Sequence, residues 1–558
     1  MKKEIKYPDP LVPFQTIGLC FSGGGYRATS FSLGVLDYLN HIEFEEKPLL
    51  ENVIAVSSVS GGTITAACFA ASNGKGKDFD TFYQSLYRFL DEDQLVDLAF
   101  DKFMDQKLWD TTTRTRSLIN AFALTYKEYL VTEDFKALKQ ENLKGHLKYI
   151  CFNATEFSYG LAFRFQNVNT FGNYELKCRE LNEVRDSIHI SDAIASSSCF
   201  PVGFAPMIFP NDYIENHESE AYERLTGRPN FSKGIGIMDG GIVDNQGIGS
   251  MVNMDQSSLD QMPLDLVIVN DVGSFRMPPW TPDQQERNSK VSLANFIAQK
   301  LAMVKLRPIY WIILLIGVLG LIGASILDLF YGRTWVLLYS ISSGLIGVGG
   351  LLTLLGLLGG YLVNYLKNQF KQSFQEAVPE PILPKVEALG SLKLSLVKRM
   401  VSDRLSSAML MINQVFFRQI RRLNFDLLYR AEEFTNRRIT STVYQLNGES
   451  NNMNLQIQDE KAEKIKITAR IKEVALVASE MPTTLWWDQT DREVHRLDSL
   501  IACGQFTTCY NLIKYIQELP EELHNPSVKN LEKKLLADWR KFEKDPMFLV
   551  YKKEFKKA

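Results

Sequence analysis

The sequence predicts an α/β protein with a mostly parallel central sheet, interrupted by a two-helix transmembrane hairpin. Two observations carry that prediction. Between residues 15 and 275, short β-branched apolar runs alternate with stretches long enough for crossover helices, a pattern that places helices on the faces of a parallel sheet. Farther along, two charge-free apolar runs follow one another, Ile309 to Leu327 and Trp335 to Leu366. A bilayer crossing needs about 20 such residues.

The bulk properties bound the class. The chain has 558 residues, room for more than one domain. Hydrophobic residues make up 45% and charged residues 23%, with a net charge of −3. That balance leaves no basic footprint, so no nucleic-acid partner is expected. The opening MKKEIKYPDP lacks the apolar core of a signal peptide. Seven cysteines are scattered. Cys503 and Cys509 are near neighbours, but their spacing fits no zinc pattern, and reduced cytosolic thiols are the expectation. The six histidines form no ligand-spaced pair, so neither a metal site nor a cofactor is predicted.

The strand candidates are TIGLCF, NVIAVS, LKYICFNA and LDLVIVNDVG. The hairpin candidate follows. Tyr310, Trp311, Phe330, Tyr331, Trp335, Tyr361 and Tyr365 lie near the ends of its runs, where aromatic rings favour the membrane interface. Gly317, Gly320 and Gly323 in the first run, with Gly349, Gly356 and Gly360 in the second, allow close helix approach. Lys300, Lys305, Arg307, Lys367 and Lys371 flank the hairpin, so the positive-inside rule keeps both ends, and the catalytic core with them, cytoplasmic. The expected organisation is a catalytic core over 1–300, a hairpin over 308–366, a linker over 367–390 and a C-terminal helical region over 391–558 that closes the core. Within the last, FRQIRRLNF (Phe417 to Phe425) reads either as a headgroup-facing basic helix or as a solvated helix face.

Three motifs carry chemistry. In AVSSVSGGT, a buried strand meets a helix of small residues, the setting of a nucleophile elbow. Only Ser60 fits G-x-S-x-G, with Ser58 and Gly62 at the flanking small positions; Ser57 ends the strand. The second motif, CFSGGGYRATS, follows the first strand. Gly23, Gly24 and Gly25 let backbone N–H groups converge on an anion. No GK[ST] follows, so an oxyanion hole is a better use than a nucleotide site. Gly61, beside the serine, adds a donor, and Arg27 braces the loop. In the third, IMDGGIVDNQGI, Asp239 ends an apolar run and is followed by Gly240 and Gly241. No histidine accompanies these motifs, which speaks against a Ser-His-Asp triad; a serine and an aspartate alone can act as a dyad if the carboxylate takes the hydroxyl proton directly.

Glycine loop, elbow serine and DGG, in that order, resemble the patatin-like phospholipase family. CFNATEF and SSSCFPVGFAPM resemble further blocks of that family, and ASEMPTTLWW and LDSLIACGQFTTCYNLI resemble its closing helices. The resemblance implies a three-layer α/β sandwich and a Ser60–Asp239 dyad with a glycine oxyanion loop. It departs from the family pattern at Ala28, at Ser58 and at Asn245, Gln246 and Gly247, none of which removes a reacting group. The expected function is a membrane-anchored serine hydrolase cleaving carboxylic esters of glycerophospholipids, with the bilayer and the phospholipid as partners. A transacylase on the same site, a catalytically silent membrane scaffold and a gated enzyme awaiting a regulatory partner are the alternatives.

Overall fold

All four of the strand candidates become strands of one sheet in the computed structural model, which describes residues 12–201, 203–258, 263–273, 280–281, 308–331, 335–377, 394–448 and 465–552. Strands β1 (Ile17–Phe21), β2 (Val53–Val59) and β3 (Tyr149–Glu156) are followed by β4 (Ala162–Gln166), β5 (Met207–Phe209) and β6 (Ile235–Asp239). Strands β7 (Leu266–Asp271) and β8 (Arg438–Thr442) complete the sheet, whose order is β8-β7-β1-β2-β3-β6-β5, with β4 also on β3. From β8 to β3 the neighbours run parallel; β4 and β6 pair with β3, and β5 with β6, in antiparallel fashion. Every residue of β1, β2, β3 and β7 is buried, as befits parallel strands covered on both faces and written as continuous apolar runs.

The helices include α1 (Gly25–His41), α2 (Gly61–Gly74), α3 (Ile190–Ser197), α4 (Ile248–Ser258), α5 (Pro308–Tyr331), α6 (Val336–Ala377), α7 (Phe417–Tyr429) and α8 (Arg496–Glu518). By internal contacts the chain divides into residues 1–278 with 413–558, and residues 279–412. In the first unit the C-terminal segment supplies both the edge strand β8 and α8. Helices α1 and α8 cross where a Cβ on Gly34 would lie 2.0 Å from the Ile501 carbonyl oxygen. Only glycine permits that approach, which buries Phe31, Val35, Leu500 and Ile501 together. Arg114 and Asp192 form a buried ion pair that ties α3 to the loop before Ser117.

In the second unit, α5 and α6 contain two segments, Pro308–Phe330 and Val336–Leu354, long and apolar enough to cross a membrane by length and composition. Their close approach is at Gly317 and Gly349: a Cβ on Gly349 would lie 2.7 Å from the Leu314 nitrogen. Gly320 also faces the partner helix, at Ser342, whereas Gly323 meets nothing; the surroundings of Gly356 and Gly360 lie outside the described residues. Leu315, Leu319, Ile322, Leu351 and Leu354 are exposed. Helix α6 runs past Leu366 to Ala377, because NYLKNQFKQSFQEA continues in helix-forming residues. Of the expected linker over 367–390, residues 367–377 are thus helical, while residues 378–390 and the flanking Lys300, Lys305 and Arg307 lie outside the described residues.

Candidate active site

Strand β2 and helix α2 meet at a single residue, Ser60, whose backbone has φ 50° and ψ −126°. That conformation is costly for a residue with a Cβ and persists only where the surroundings impose it. Here they do. The Ser60 N–H donates to Ser197 Oγ (2.8 Å), and Ser197 Oγ donates to the Asn153 carbonyl on β3 (2.7 Å). Thr63 Oγ1 lies 2.9 Å from Ser197 Oγ and 3.0 Å from Ser58 Oγ, extending the hydroxyl chain. Ser58 is therefore a hydrogen-bonding member of the elbow as well as a small residue. Gly62 is needed for close packing, since a Cβ there would lie 2.6 Å from the Ser22 carbonyl oxygen.

The register brings Asp239 to this serine. Val59 pairs with Asn153 on one side of β3, and Asp239 pairs with Ala154 on the other. The residue after Val59 and the last residue of β6 thus flank the same point of β3. The Asp239 carboxylate is buried and accepts from the Gly241 N–H (2.7 Å) and from the Ser60 hydroxyl. Its backbone is held by the Cys199 carbonyl (3.0 Å) and the Thr155 hydroxyl (2.9 Å). Burial pushes its pKa from 3.8 up to about 7, against the opposing pull of those two hydrogen bonds.

The N-termini of α1 and α2 converge beside the serine. A Cβ on Gly61 would lie 2.6 Å from the Gly25 nitrogen, so the two backbones touch. Thr29 Oγ1 bridges them, 3.1 Å from the Gly25 carbonyl and 2.9 Å from that of Gly61. Two helix N-termini present unsatisfied amides and a favourable dipole to an anion. One expected donor needs correction. The Gly23 N–H is directed to the Asn245 carbonyl (3.0 Å), so Gly24, Gly25 and Gly61 are the remaining candidates. Gly23 instead packs on the serine; a Cβ there would lie 3.1 Å from Ser60 Cβ. Gly240 and Gly241 form the turn after Asp239, and a Cβ on Gly240 would strike the Asn153 carbonyl at 2.3 Å.

Arg27 is buried one turn into α1 and donates to the Met481 carbonyl (2.8 Å). The Tyr26 N–H donates to the Thr484 carbonyl (2.8 Å), and the Tyr26 ring packs on Trp487. ASEMPTTLWW is thus the brace behind the glycine loop. Burial and the Arg421 guanidinium lower the Arg27 pKa to about 10, while Asp271 acts in the opposite sense. Reading the sequence alone misses Ser197, Asn153 and Asn245 as supports. Their motifs are visible, but their roles depend on pairings across the sheet.

A strained serine sharing a hydrogen with a buried carboxylate, at the meeting of two helix N-termini, is an arrangement suited to acyl transfer. Residues 19–252 match the family model for patatin-like phospholipases. A solved structure, human GIVD cytosolic phospholipase A2, is similar at 13% identity with a TM-score of 0.31, over 50% of this chain and 51% of that one. The chain thus spans about half the length of that protein. No curated protein matches.

Proposed function

We propose that this protein is a membrane-anchored phospholipase of the acyl-hydrolase type, working through Ser60 and Asp239. The observation that carries this reading is the hydrogen bond from the Ser60 hydroxyl to a buried carboxylate whose pKa stands at about 7. A base so poised accepts the hydroxyl proton near neutral pH without an imidazole. Ser60 Oγ attacks the ester carbonyl as its proton passes to Asp239. The carbonyl oxygen becomes an oxyanion held by the N–H groups of Gly24, Gly25 and Gly61. Asp239 returns the proton to the leaving alkoxide as the ester bond breaks, and the lysolipid departs. Water then repeats the sequence on the acyl-serine and frees the fatty acid. The hairpin of α5 and α6 keeps the enzyme at the bilayer and raises the local concentration of lipid, with the core on the cytoplasmic side. Fatty-acid release from mixed phospholipid vesicles, by the full chain in detergent beside Ser60→Ala and Asp239→Ala, tests the reading. Release that both substitutions abolish is expected; release that survives Ser60→Ala overturns it.

A further inference from the structure

Helix α7 comes from beyond the hairpin, yet it touches residues next to the candidate site at three points. Phe417 packs on Phe200, ring centroids 6.0 Å apart, and Phe200 follows the Cys199 whose carbonyl holds Asp239. Asn424 Nδ2 donates to the Val243 carbonyl (3.1 Å), just past the DGG turn. Arg421 Nη2 pairs with Asp271 Oδ1 (3.3 Å) at the end of β7, and Gln246 Nε2 reaches the other oxygen of that carboxylate (3.3 Å). Gln246 adjoins the Asn245 whose carbonyl holds Gly23. On the same face of α7, one and two turns beyond Arg421, Phe425 packs in a cluster with Ile248, Met251 and Met254 of α4 and Leu428 is buried. The helix is therefore seated on the rigid core.

From this placement we propose that Arg418, Arg421 and Arg422 of α7 form a phosphate-binding rim beside Ser60 that takes the phosphate ester of the lipid being cleaved. The identity of the ligand rests on the hydrolase reading. Positions i, i+3 and i+4 put the three guanidinium groups on one face of a helix, where like charges repel. Asp271 is the carboxylate facing Arg421, and its oxygens are also shared with Gln246 Nε2 and the Gly273 N–H. Asp426 is drawn off by Arg430 (2.9 Å). Arg421 Nε is buried with no hydrogen-bond partner. Burial, and then the charges of Arg421 and Arg422, lower the Arg418 pKa. One anionic group with several acceptor oxygens would bridge these guanidinium groups and satisfy Arg421 Nε, and the planar guanidinium fork fits phosphate. A headgroup held there leaves the glycerol ester within the same rim of residues as Ser60 and Asp239.

The test uses the full chain in detergent with Ser60→Ala, so that binding is read without turnover. The probes are mixed micelles carrying either a diether phospholipid or an uncharged diether glycerolipid. The proposal expects the phospholipid micelle to bind more tightly, and Arg418→Gln/Arg422→Gln to reduce that preference by about tenfold or more, the scale of losing charge-assisted hydrogen bonds. This double variant keeps the Asp271–Arg421 pair, which guards against misfolding, and a preference is a ratio that a general loss of protein does not move. A preference that survives the substitutions overturns the proposal. So does displacement of the micelle by inorganic phosphate as effective as by the phospholipid, which would assign the site to the free anion. Phospholipid preference that depends on these arginines, in a wild-type chain that releases no fatty acid, would keep the rim and overturn only the hydrolase reading.

Discussion

The burial of Asp239 makes one group govern activity and stability in opposite senses. Its pKa stands at about 7 rather than 3.8. As the base it acts only when ionised, so kcat/KM for a soluble ester should climb with unit slope to a plateau above pH 7. At pH 5 about 1% of the sites are ionised, roughly a hundredfold loss from the plateau, whereas a carboxylate of ordinary pKa would lose almost nothing. For stability the sign is reversed. A carboxyl whose folded pKa exceeds its unfolded pKa binds more protons when folded, so this contribution falls as pH rises from about 4 to about 7. A shift from 3.8 to about 7 corresponds to about 4 kcal/mol once the group is fully ionised. Asp239→Asn removes this dependence while keeping an acceptor for the Gly241 N–H. Asp265, also raised to about 7 by burial, is present in both proteins and cancels in the comparison. The assay is a pair of pH series, kcat/KM for the wild type and thermal melts for the wild type and Asp239→Asn. The variant should be inactive and should gain stability over the wild type as pH rises from 5 to 8. An activity limb centred near pH 4, or melts that stay parallel across the range, would refute the reasoning.

Three further outcomes follow from single contacts. Ser197→Ala leaves the Ser60 N–H without its acceptor and should cost about 1–3 kcal/mol of stability, read by melting, together with a fall in kcat as the elbow relaxes. Gly25→Ala places a Cβ 2.2 Å from the Thr484 carbonyl at φ 55°; it should push the C-terminal brace away and lower kcat more than KM in steady-state assays. Arg114→Met strands the buried Asp192 charge and should destabilise by about 3–5 kcal/mol, with Arg114→Met/Asp192→Leu recovering much of the loss in the same melts.

Strands β1, β2, β3 and β7 are legible because burial on both faces writes itself as short apolar runs, VIAV, YICF and LVIV among them. Strands β4, β6 and β8 carry Arg, Gly or Thr, β5 is only Met207–Phe209, and all four take their pairing from distant partners, so nothing local marks them. Ser60 is legible because an elbow demands small residues at fixed spacing. Asp239 is visible as the end of an apolar run, but its approach to Ser60 depends on β6 lying antiparallel to β3 with Asp239 opposite Ala154. The three loop glycines look equivalent in sequence; the contact with Asn245 sets Gly23 apart. Arg27 reads as a brace for the loop, while its partner carbonyl at Met481 lies 454 residues away. The arginines of α7 are conspicuous in sequence, and only the fold places them beside the site.

The most direct test of the central claim is the site of covalent capture by a fluorophosphonate, mapped by mass spectrometry on the full chain in detergent. A single adduct on Ser60, absent from Asp239→Asn, is the predicted result. An adduct on Ser57 or Ser58, or an unlabelled Ser60 in protein that releases fatty acid, would contradict it.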